Sequence, residues 1–187
     1  ERNISCFSGR TANLIWTETV QGQVDVYVSK DFNGDGRRDI VAIRQPGGAA
    51  PSGGTLTYAL TIRDALTGNT IVTSTINIAT EGNIIRLDKG WVPIWGEGSL
   101  DDLDGDGVTE LSFTTSYTTY EAAAYAHGRL VMLNGTDGND MWRFSVDSSI
   151  VTIYPAFGFG VGDMNGDGVS DAIVQTLLGI YGVTVPG

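Results

Sequence analysis

The stretch Asp163-Met-Asn-Gly-Asp-Gly-Val-Ser-Asp171, which runs directly into Ala-Ile-Val-Gln, is the part of the sequence from which the fold is predicted. It places oxygen-bearing side chains at positions 1, 3, 5 and 9 of a nine-residue loop. Glycine stands at position 6, where a Cβ would obstruct a sharp turn, and position 7 can add a backbone carbonyl. Converging oxygens of this kind are the ligands of Ca²⁺, which binds six to eight of them. The stretch therefore predicts a calcium-binding loop.

Two further loops repeat the pattern, namely Asp31-Phe-Asn-Gly-Asp-Gly-Arg-Arg-Asp39 and Asp102-Leu-Asp-Gly-Asp-Gly-Val-Thr-Glu110. Metal-free turns rich in Asp, Asn and Gly are common in hairpins, but they do not require five matched oxygen positions. We therefore predict three Ca²⁺ sites. Their candidate ligands, with position 7 acting through its carbonyl, are Asp31, Asn33, Asp35, Arg37 and Asp39, then Asp102, Asp104, Asp106, Val108 and Glu110, then Asp163, Asn165, Asp167, Val169 and Asp171.

The residues after each loop predict a β-strand and exclude an EF-hand. An EF-hand requires a bidentate Glu at position 12, whereas position 12 is here Ala42, Phe113 or Val174. The loops are followed by Ile-Val-Ala-Ile, Leu-Ser-Phe-Thr and Ala-Ile-Val-Gln, which are rich in β-branched and aromatic residues. Helical periodicity is nearly absent from the chain, so the fold is predicted to be all-β.

The spacing of the loops predicts a repeated unit of four strands. The predicted strands are 23–29, 40–45, 55–64 and 70–78 in the first unit and 92–99, 111–120, 128–134 and 140–147 in the second. The chain is accordingly divided into an N-terminal strand segment at 1–21, a first unit at 22–80, a second at 81–149 and a partial third at 150–187.

These features resemble the FG-GAP/VCBS repeat, the blade of integrin-α-type β-propellers. The third unit is most similar, at Phe157-Gly-Phe-Gly-Val-Gly-Asp-Met-Asn-Gly-Asp-Gly-Val-Ser-Asp-Ala-Ile-Val, and residues 54–68 and 128–138 resemble the third strand and turn of the repeat. The resemblance implies antiparallel four-stranded blades in which the calcium loop joins the first two strands. It also implies cell-surface or matrix adhesion, or a scaffold role.

A closed propeller usually needs four to eight blades, and this sequence supplies about two and a half to three. We therefore expect an open arc, a part of a longer propeller, or an assembly in which copies complete one another. The stretch 12–20 is predicted to be an extra strand before the first unit. Contributed to the last blade of another copy, it would produce head-to-tail self-association into a ring or a filament.

Charge and composition restrict the partners. The 11 basic and 22 acidic residues give a formal net charge of −11, which disfavours nucleic acid and anionic lipid. Half of the acidic residues lie in or beside the three loops, where bound Ca²⁺ would neutralise them. No apolar run approaches the ~18 residues of a membrane span. The sequence starts at Glu1, as a secreted protein does after signal removal and as a fragment also does. We predict a secreted or cell-surface protein with an extracellular protein or glycan ligand.

The remaining candidates are weaker. Asn3 and Asn134 begin glycosylation sequons. Cys6 is the only cysteine and His127 the only histidine. We interpret Cys6 as a free buried thiol, with a bond to another chain as the alternative, and His127 as turn structure. Because one Cys and one His exclude the usual catalytic triads, we predict a non-enzymatic structural or adhesive module. The alternatives are a carbohydrate-binding module, for which the Tyr-rich stretch 114–120 is a candidate face, and a fragment of a propeller enzyme such as a polysaccharide lyase.

Overall fold

A computed structural model describes residues 1–44, 54–80, 84–87, 102–120, 124–148, 157–176 and 179–183. The described residues form β-strands joined by turns and loops, and every strand pairing is antiparallel. The predicted all-β class is therefore confirmed. Among these residues, no helix has the length and apolar character needed to span a membrane.

The first sheet contains β3 (Val24–Val28), β4 (Ile40–Arg44), β5 (Thr55–Arg63) and β6 (Thr70–Ala79). These strands pair in chain order, β3-β4-β5-β6, and they confirm the four strands predicted for the first unit. In β5 the alternating side chains Leu56, Tyr58, Leu60 and Ile62 are buried, as expected for a strand with one face on the core. The first predicted calcium loop, residues 31–39, lies between β3 and β4.

The second sheet contains β7 (Ile84–Leu87), β8 (Leu111–Tyr120), β9 (Ala124–Leu133) and β10 (Asp140–Ser148), again paired in chain order. The last three confirm the strands predicted at 111–120, 128–134 and 140–147. The first differs, because the strand that pairs with β8 is β7, which precedes the predicted strand 92–99 in the chain. Residues 92–99 lie outside the described residues.

Two smaller sheets complete the described structure. The third unit contributes β11 (Phe157–Gly162), β12 (Asp171–Thr176) and β13 (Gly179–Val183), in the order β11-β12-β13. At the other end, β1 (Arg2–Phe7) and β2 (Leu14–Val20) form a hairpin. The extra strand predicted at 12–20 is therefore β2, and the prediction lacked its partner β1.

The main core lies between the first and second sheets. Tyr58 of β5 meets Phe113 of β8 with ring centroids 4.8 Å apart, and its hydroxyl makes a 2.8 Å hydrogen bond with Thr115 Oγ1. The sheets also touch where Arg143 Nη1 donates to the carbonyl of Asn77 at 2.5 Å. The first and second sheets thus pack against each other, and in each of them the predicted calcium loop leads directly into the second strand, β4 or β8. The propeller arrangement of the blades stays a prediction.

Candidate metal centres

The first aspartate of each loop organises the backbone around its own carboxylate. In the first loop, Asp31 Oδ1 accepts the backbone N–H of Gly34 at 2.7 Å and of Asp35 at 3.1 Å, and its Oδ2 accepts that of Gly36 at 2.6 Å. Gly36 adopts a φ of 81°, a left-handed conformation that glycine adopts without a Cβ penalty. The short-range sequence pattern is therefore sufficient to fold this loop.

The other two loops repeat this geometry atom for atom. Asp102 Oδ1 and Oδ2 accept the N–H groups of Gly105 at 2.6 Å and Gly107 at 2.8 Å. Asp163 accepts those of Gly166 at 2.6 Å and Gly168 at 2.8 Å in the same way. The backbone N–H of the seventh residue donates to the fifth side chain in all three loops. Whether the seventh carbonyls of Arg37, Val108 and Val169 bind metal stays a prediction.

The ninth position of every loop holds a buried carboxylate with one unsatisfied oxygen. Asp39, Glu110 and Asp171 are 1%, 1% and 0% exposed. One oxygen of each accepts a backbone N–H from the second residue of its loop: Phe32 at 2.7 Å, Leu103, and Met164 at 2.8 Å. The other oxygen is buried without a hydrogen-bond partner in all three, although the nearby backbone N–H of Ala65 helps to stabilise the Asp39 carboxylate. A buried charged oxygen is costly unless something pairs with it, so in each loop this oxygen is a candidate ligand for a cation.

The second loop brings its acidic side chains together most completely. One carboxylate oxygen from each of Asp102, Asp104, Asp106 and Glu110 lies within 4.8 Å of the others. Among the described residues, this is the one group of three or more acidic side chains whose donor oxygens lie close enough together to share a metal ion. The first and third loops have an amide, Asn33 or Asn165, where the second has Asp104. The second loop can therefore hold a metal ion, and its donors are all oxygens.

The pKa values reflect these surroundings. Burial raises the pKa of Glu110 to about 7, and the neighbouring carboxylates of Asp104 and Asp102 add to the effect. Burial also raises the pKa of Asp39, although the backbone N–H groups of Phe32 and Ala65 oppose this. By contrast, the N–H groups of Gly168 and its neighbours lower the pKa of Asp163. In the first two loops, the ninth position is thus the one at which burial disfavours a negative charge.

A six-residue turn closes over each of the first two loops. These turns, residues 64–69 and 134–139, join the third and fourth strands of their sheets. Asn134 Nδ2 donates to Asp104 Oδ2 at 2.5 Å, and Thr136 Oγ1 donates to Asp106 Oδ2 at 2.5 Å. In the first sheet the amide and the carboxylate change places, since Asn33 Nδ2 of the loop donates to Asp64 Oδ2 of the turn at 2.9 Å. In both sheets, the contact between the third residue of the loop and the first residue of the turn therefore pairs one carboxylate with one amide.

Asp64 was not predicted from the sequence as a site residue. Asp64 contacts the first loop and adds a fourth carboxylate to Asp31, Asp35 and Asp39, and the second loop contains four carboxylates of its own. The signal that could have identified Asp64 is the alignment of the two turns, in which Asp64 matches Asn134 while Asn33 matches Asp104. Side chains that exchange places across a repeat suggest spatial contact.

Comparisons of the chain with family models, with curated proteins and with solved structures found no match. The resemblance to the FG-GAP/VCBS repeat therefore stays a prediction that rests on the residues quoted for it.

We predict that exchanging the carboxylate and the amide preserves the first loop. Asn33→Asp alone places two carboxylates against each other, and Asp64→Asn alone removes a charge that supports the loop. Each single change should weaken Ca²⁺ binding at this loop about tenfold, as loss of an outer partner typically does. The double change Asn33→Asp/Asp64→Asn should recover most of the affinity. Metal titration followed at the Gly36 amide by NMR, with Gly107 as the internal control, measures this. Additive losses in the double variant would contradict it.

The glycosylation candidates have different surroundings. Asn134 uses its side-chain nitrogen, the atom to which a glycan is attached, in the hydrogen bond to Asp104, and its Oδ1 accepts the N–H of Thr136 at 2.8 Å. A glycan there would disturb the turn on the second loop. Asn3 is exposed on β1, and its Oδ1 accepts the hydroxyl of Thr19 at 3.0 Å. Occupancy of either sequon stays a prediction.

Other residues named from the sequence have structural surroundings. His127 lies within β9 rather than in a turn, is 5% exposed, and stacks on Tyr117 with ring centroids 4.6 Å apart. The turn prediction for His127 was wrong because strand β9 begins before it. Tyr117 is fully buried, so it offers no face to a sugar. Cys6 is a free, half-buried thiol that contacts the carbonyl of Ala65 at 3.6 Å.

Proposed function

We propose that this chain is an extracellular structural or adhesive repeat protein whose three loops bind Ca²⁺ and so stiffen the connection between the first two strands of each unit. The observation that carries the proposal is the buried carboxylate oxygen without a partner at Asp39, Glu110 and Asp171. Three equivalent orphaned oxygens in three equivalent loops are better explained by a shared ligand than by three separate packing defects.

The donor set favours Ca²⁺ over softer metals. At positions 1, 3, 5 and 9 of the loops, aspartate, asparagine and glutamate bind a metal through side-chain oxygen. Hard cations prefer oxygen, whereas Zn²⁺ and Cu²⁺ sites usually include His or Cys. Mg²⁺ demands near-ideal octahedral geometry and keeps several waters, while Ca²⁺ accepts more ligands in a flexible arrangement. A loop that wraps side chains around a point suits the larger ion.

The proposed structural role rests on the electrostatic repulsion among the carboxylates of the loops. Without an ion, the second loop holds four carboxylates within 4.8 Å of one another, and their repulsion opposes the folded loop. A bound Ca²⁺ would reverse this repulsion. Extracellular sites work with Kd values around 10⁻⁴–10⁻³ M because calcium is abundant there, which is consistent with the proposed location.

Calcium should raise the thermal stability of the protein. A site with Kd of about 10⁻⁴ M adds about 2.7 kcal/mol at 10 mM Ca²⁺, which corresponds to a rise in Tm of roughly 5–10 °C per site in a chain of this size. Differential scanning calorimetry in EDTA, in Ca²⁺ and in Mg²⁺ measures the shift, and equilibrium dialysis counts the ions, with three expected. An unchanged Tm, or an equal response to Mg²⁺, would contradict the proposal.

A further inference from the structure

The N-terminal hairpin β1–β2 repeats the second half of a unit. In its turn, the N–H of Ser8 donates to the carbonyl of Asn13 at 2.9 Å and the N–H of Ala12 to that of Ser8 at 2.8 Å. The same pair of bonds closes the six-residue turns at 64–69, with 3.0 and 2.9 Å, and at 134–139, with 2.9 and 2.8 Å. The fifth residue has positive φ in all three turns: Ala12 at 57°, Gly68 at 75° and Gly138 at 73°.

The hairpin also packs on the first sheet as the first sheet packs on the second. A Cβ on Gly138 would lie 2.9 Å from Val72, three residues after the first-sheet turn. A Cβ on Gly68 would lie 2.8 Å from Trp16, which occupies the same position after the hairpin turn. Glu18 of β2 adds an ion pair of 2.6 Å with Arg63. The hairpin is thus the third and fourth strand of a unit that stands before the first sheet.

The first half of that unit is absent beside the hairpin in the described structure. In the complete units the residue before the turn pairs with the strand that follows the loop, and this residue is Leu133 in the second unit, fully buried, and Arg63 in the first, partly buried. Its equivalent in the hairpin, Phe7, is 59% exposed. β1 and β2 form a two-stranded sheet. β1 is the equivalent of β5 and β9, which pair with β4 and β8, and the matching edge of β1 carries no described strand.

The third unit supplies the complementary half. β11, the metal loop 163–171 and β12 correspond to the first strand, loop and second strand of a complete unit. The third position of its loop, Asn165, donates within the loop to Asp167 Oδ2 at 3.0 Å, whereas Asn33 donates to the six-residue turn of its own sheet. The short strand β13 pairs with β12 on the edge that β5 and β9 hold in the complete units, and it contains Gly179 and Gly182, which weaken a strand.

We propose that β1 of one copy replaces β13 on β12 of a second copy, so that the hairpin completes the third unit and its turn closes the third metal loop. The partner is a second copy because the chain's own hairpin is held on the first sheet, while the third sheet approaches the second through β11 and β8. One end of the chain carries the second half of a unit and the other end carries the first half. Copies with such complementary ends can associate head to tail. Pairing of β1 with β12 does not require the third loop to bind a metal ion. Only the contact between the hairpin turn and the third loop rests on the proposed calcium function.

The complete units fix the register of the contact. The second residue after the loop pairs with the second residue before the turn, as Val41 does with Ile62 and Ser112 with Met132. By the same count Ile173 of one copy pairs with Cys6 of the next, and Val174 pairs with Ser5. Ser8 is the first residue of its turn, as Asp64 and Asn134 are of theirs. In this register Ser8 of one copy lies beside Asn165 of the other and accepts a hydrogen bond from its side-chain amide.

Because Cys6 is the only cysteine, one substitution tests the register. Purified full chain carrying Ile173→Cys, oxidised gently at increasing concentration, should give a ladder of disulfide-linked multimers on a non-reducing gel, since directly opposed cross-strand residues can meet disulfide geometry. Val174→Cys with native Cys6 is the matched control and should link at least tenfold less. In a Cys6→Ser background, the pair Ser5→Cys/Val174→Cys should link and Ser5→Cys/Ile173→Cys should not, which covers the case that one variant folds poorly.

The outcomes separate the assembly from the calcium function. Intrachain disulfides, equal linking in matched and mismatched registers, or no linking in any folded variant would overturn the assembly. Linking in both EDTA and Ca²⁺, with no response of the Tm to Ca²⁺, would support the assembly while contradicting the calcium function. The expected result is linking in both conditions, several-fold faster in Ca²⁺, because an ordered third loop presents Asn165 to the hairpin turn.

Discussion

Replacing Glu110 with glutamine should stabilise the metal-free protein and strongly weaken calcium binding at the second loop. The carboxylate of Glu110 is 1% exposed, has one oxygen without a partner, and lies among three other carboxylates. The amide keeps an oxygen to accept the N–H of Leu103, and its nitrogen can donate to the acidic cluster. Removing this buried charge should raise the free energy of unfolding in EDTA by about 1–3 kcal/mol.

The same substitution should remove a pH dependence of the metal-free protein. The pKa of Glu110 is raised to about 7 in the folded state from 4.5, so between these values the folded state binds more protons than the unfolded state. Stability is therefore fully present below pH 4.5 and falls as the pH rises through 7, by at most about 3 kcal/mol. The raised pKa of Asp39 acts in the same direction. Glu110→Gln should flatten most of this slope.

In calcium the order of the two proteins reverses. The wild-type second loop should bind Ca²⁺, whereas Glu110→Gln should weaken binding there by on the order of 100-fold, because the site loses a charged ligand. Chemical denaturation at pH 5, 7 and 8, in EDTA and in Ca²⁺, measures both effects, with Glu1→Gln as an exposed charge-matched control. A Glu110→Gln variant that is less stable than wild type in EDTA would show that the carboxylate is satisfied by the protein, and the metal interpretation would fail.

The sequence predicted those features that depend on neighbouring residues. The loops fold around Asp31, Asp102 and Asp163 through contacts that span at most five residues, so a local pattern contains them. Strand β5 was predictable because Leu56, Tyr58, Leu60 and Ile62 alternate with period two. By contrast, β1 and β7 are short strands without a strong alternating pattern, and pairing with another strand defines them.

Features that depend on distant residues could not be read from a local pattern. The contact between Asn33 and Asp64 joins residues 31 apart in the chain, and it exists only because β4 and β5 pair in one register. The raised pKa of Glu110 requires the burial that the folded sheet provides. The equivalence between the hairpin and the later units rests on backbone hydrogen bonds and a positive φ at Ala12, because the three six-residue turns share only two residues in any pair, one of them the final asparagine.

Replacing Gly135 with alanine should disrupt the contact between the 134–139 turn and the second metal loop. A Cβ at this position would lie 2.1 Å from the backbone carbonyl oxygen of Thr109 and 3.0 Å from Val108 Cγ1. The obstruction is backbone rather than a flexible side chain, so the turn must move away from the loop. That movement would stretch the hydrogen bonds from Asn134 to Asp104 and from Thr136 to Asp106.

The expected cost is about 2–3 kcal/mol of unfolding free energy, typical of overpacking a well-packed site, together with weaker Ca²⁺ binding at the second loop. Gly9→Ala is the matched control, because Gly9 occupies the same position in the hairpin turn and a Cβ there meets nothing within 4 Å. At protein concentrations too low for association it should change stability by less than about 0.5 kcal/mol. Calorimetry of both variants in EDTA and in Ca²⁺ decides the matter. If Gly135→Ala matched Gly9→Ala in both conditions, the turn would not be seated on the loop, and the coupling between the two would be refuted.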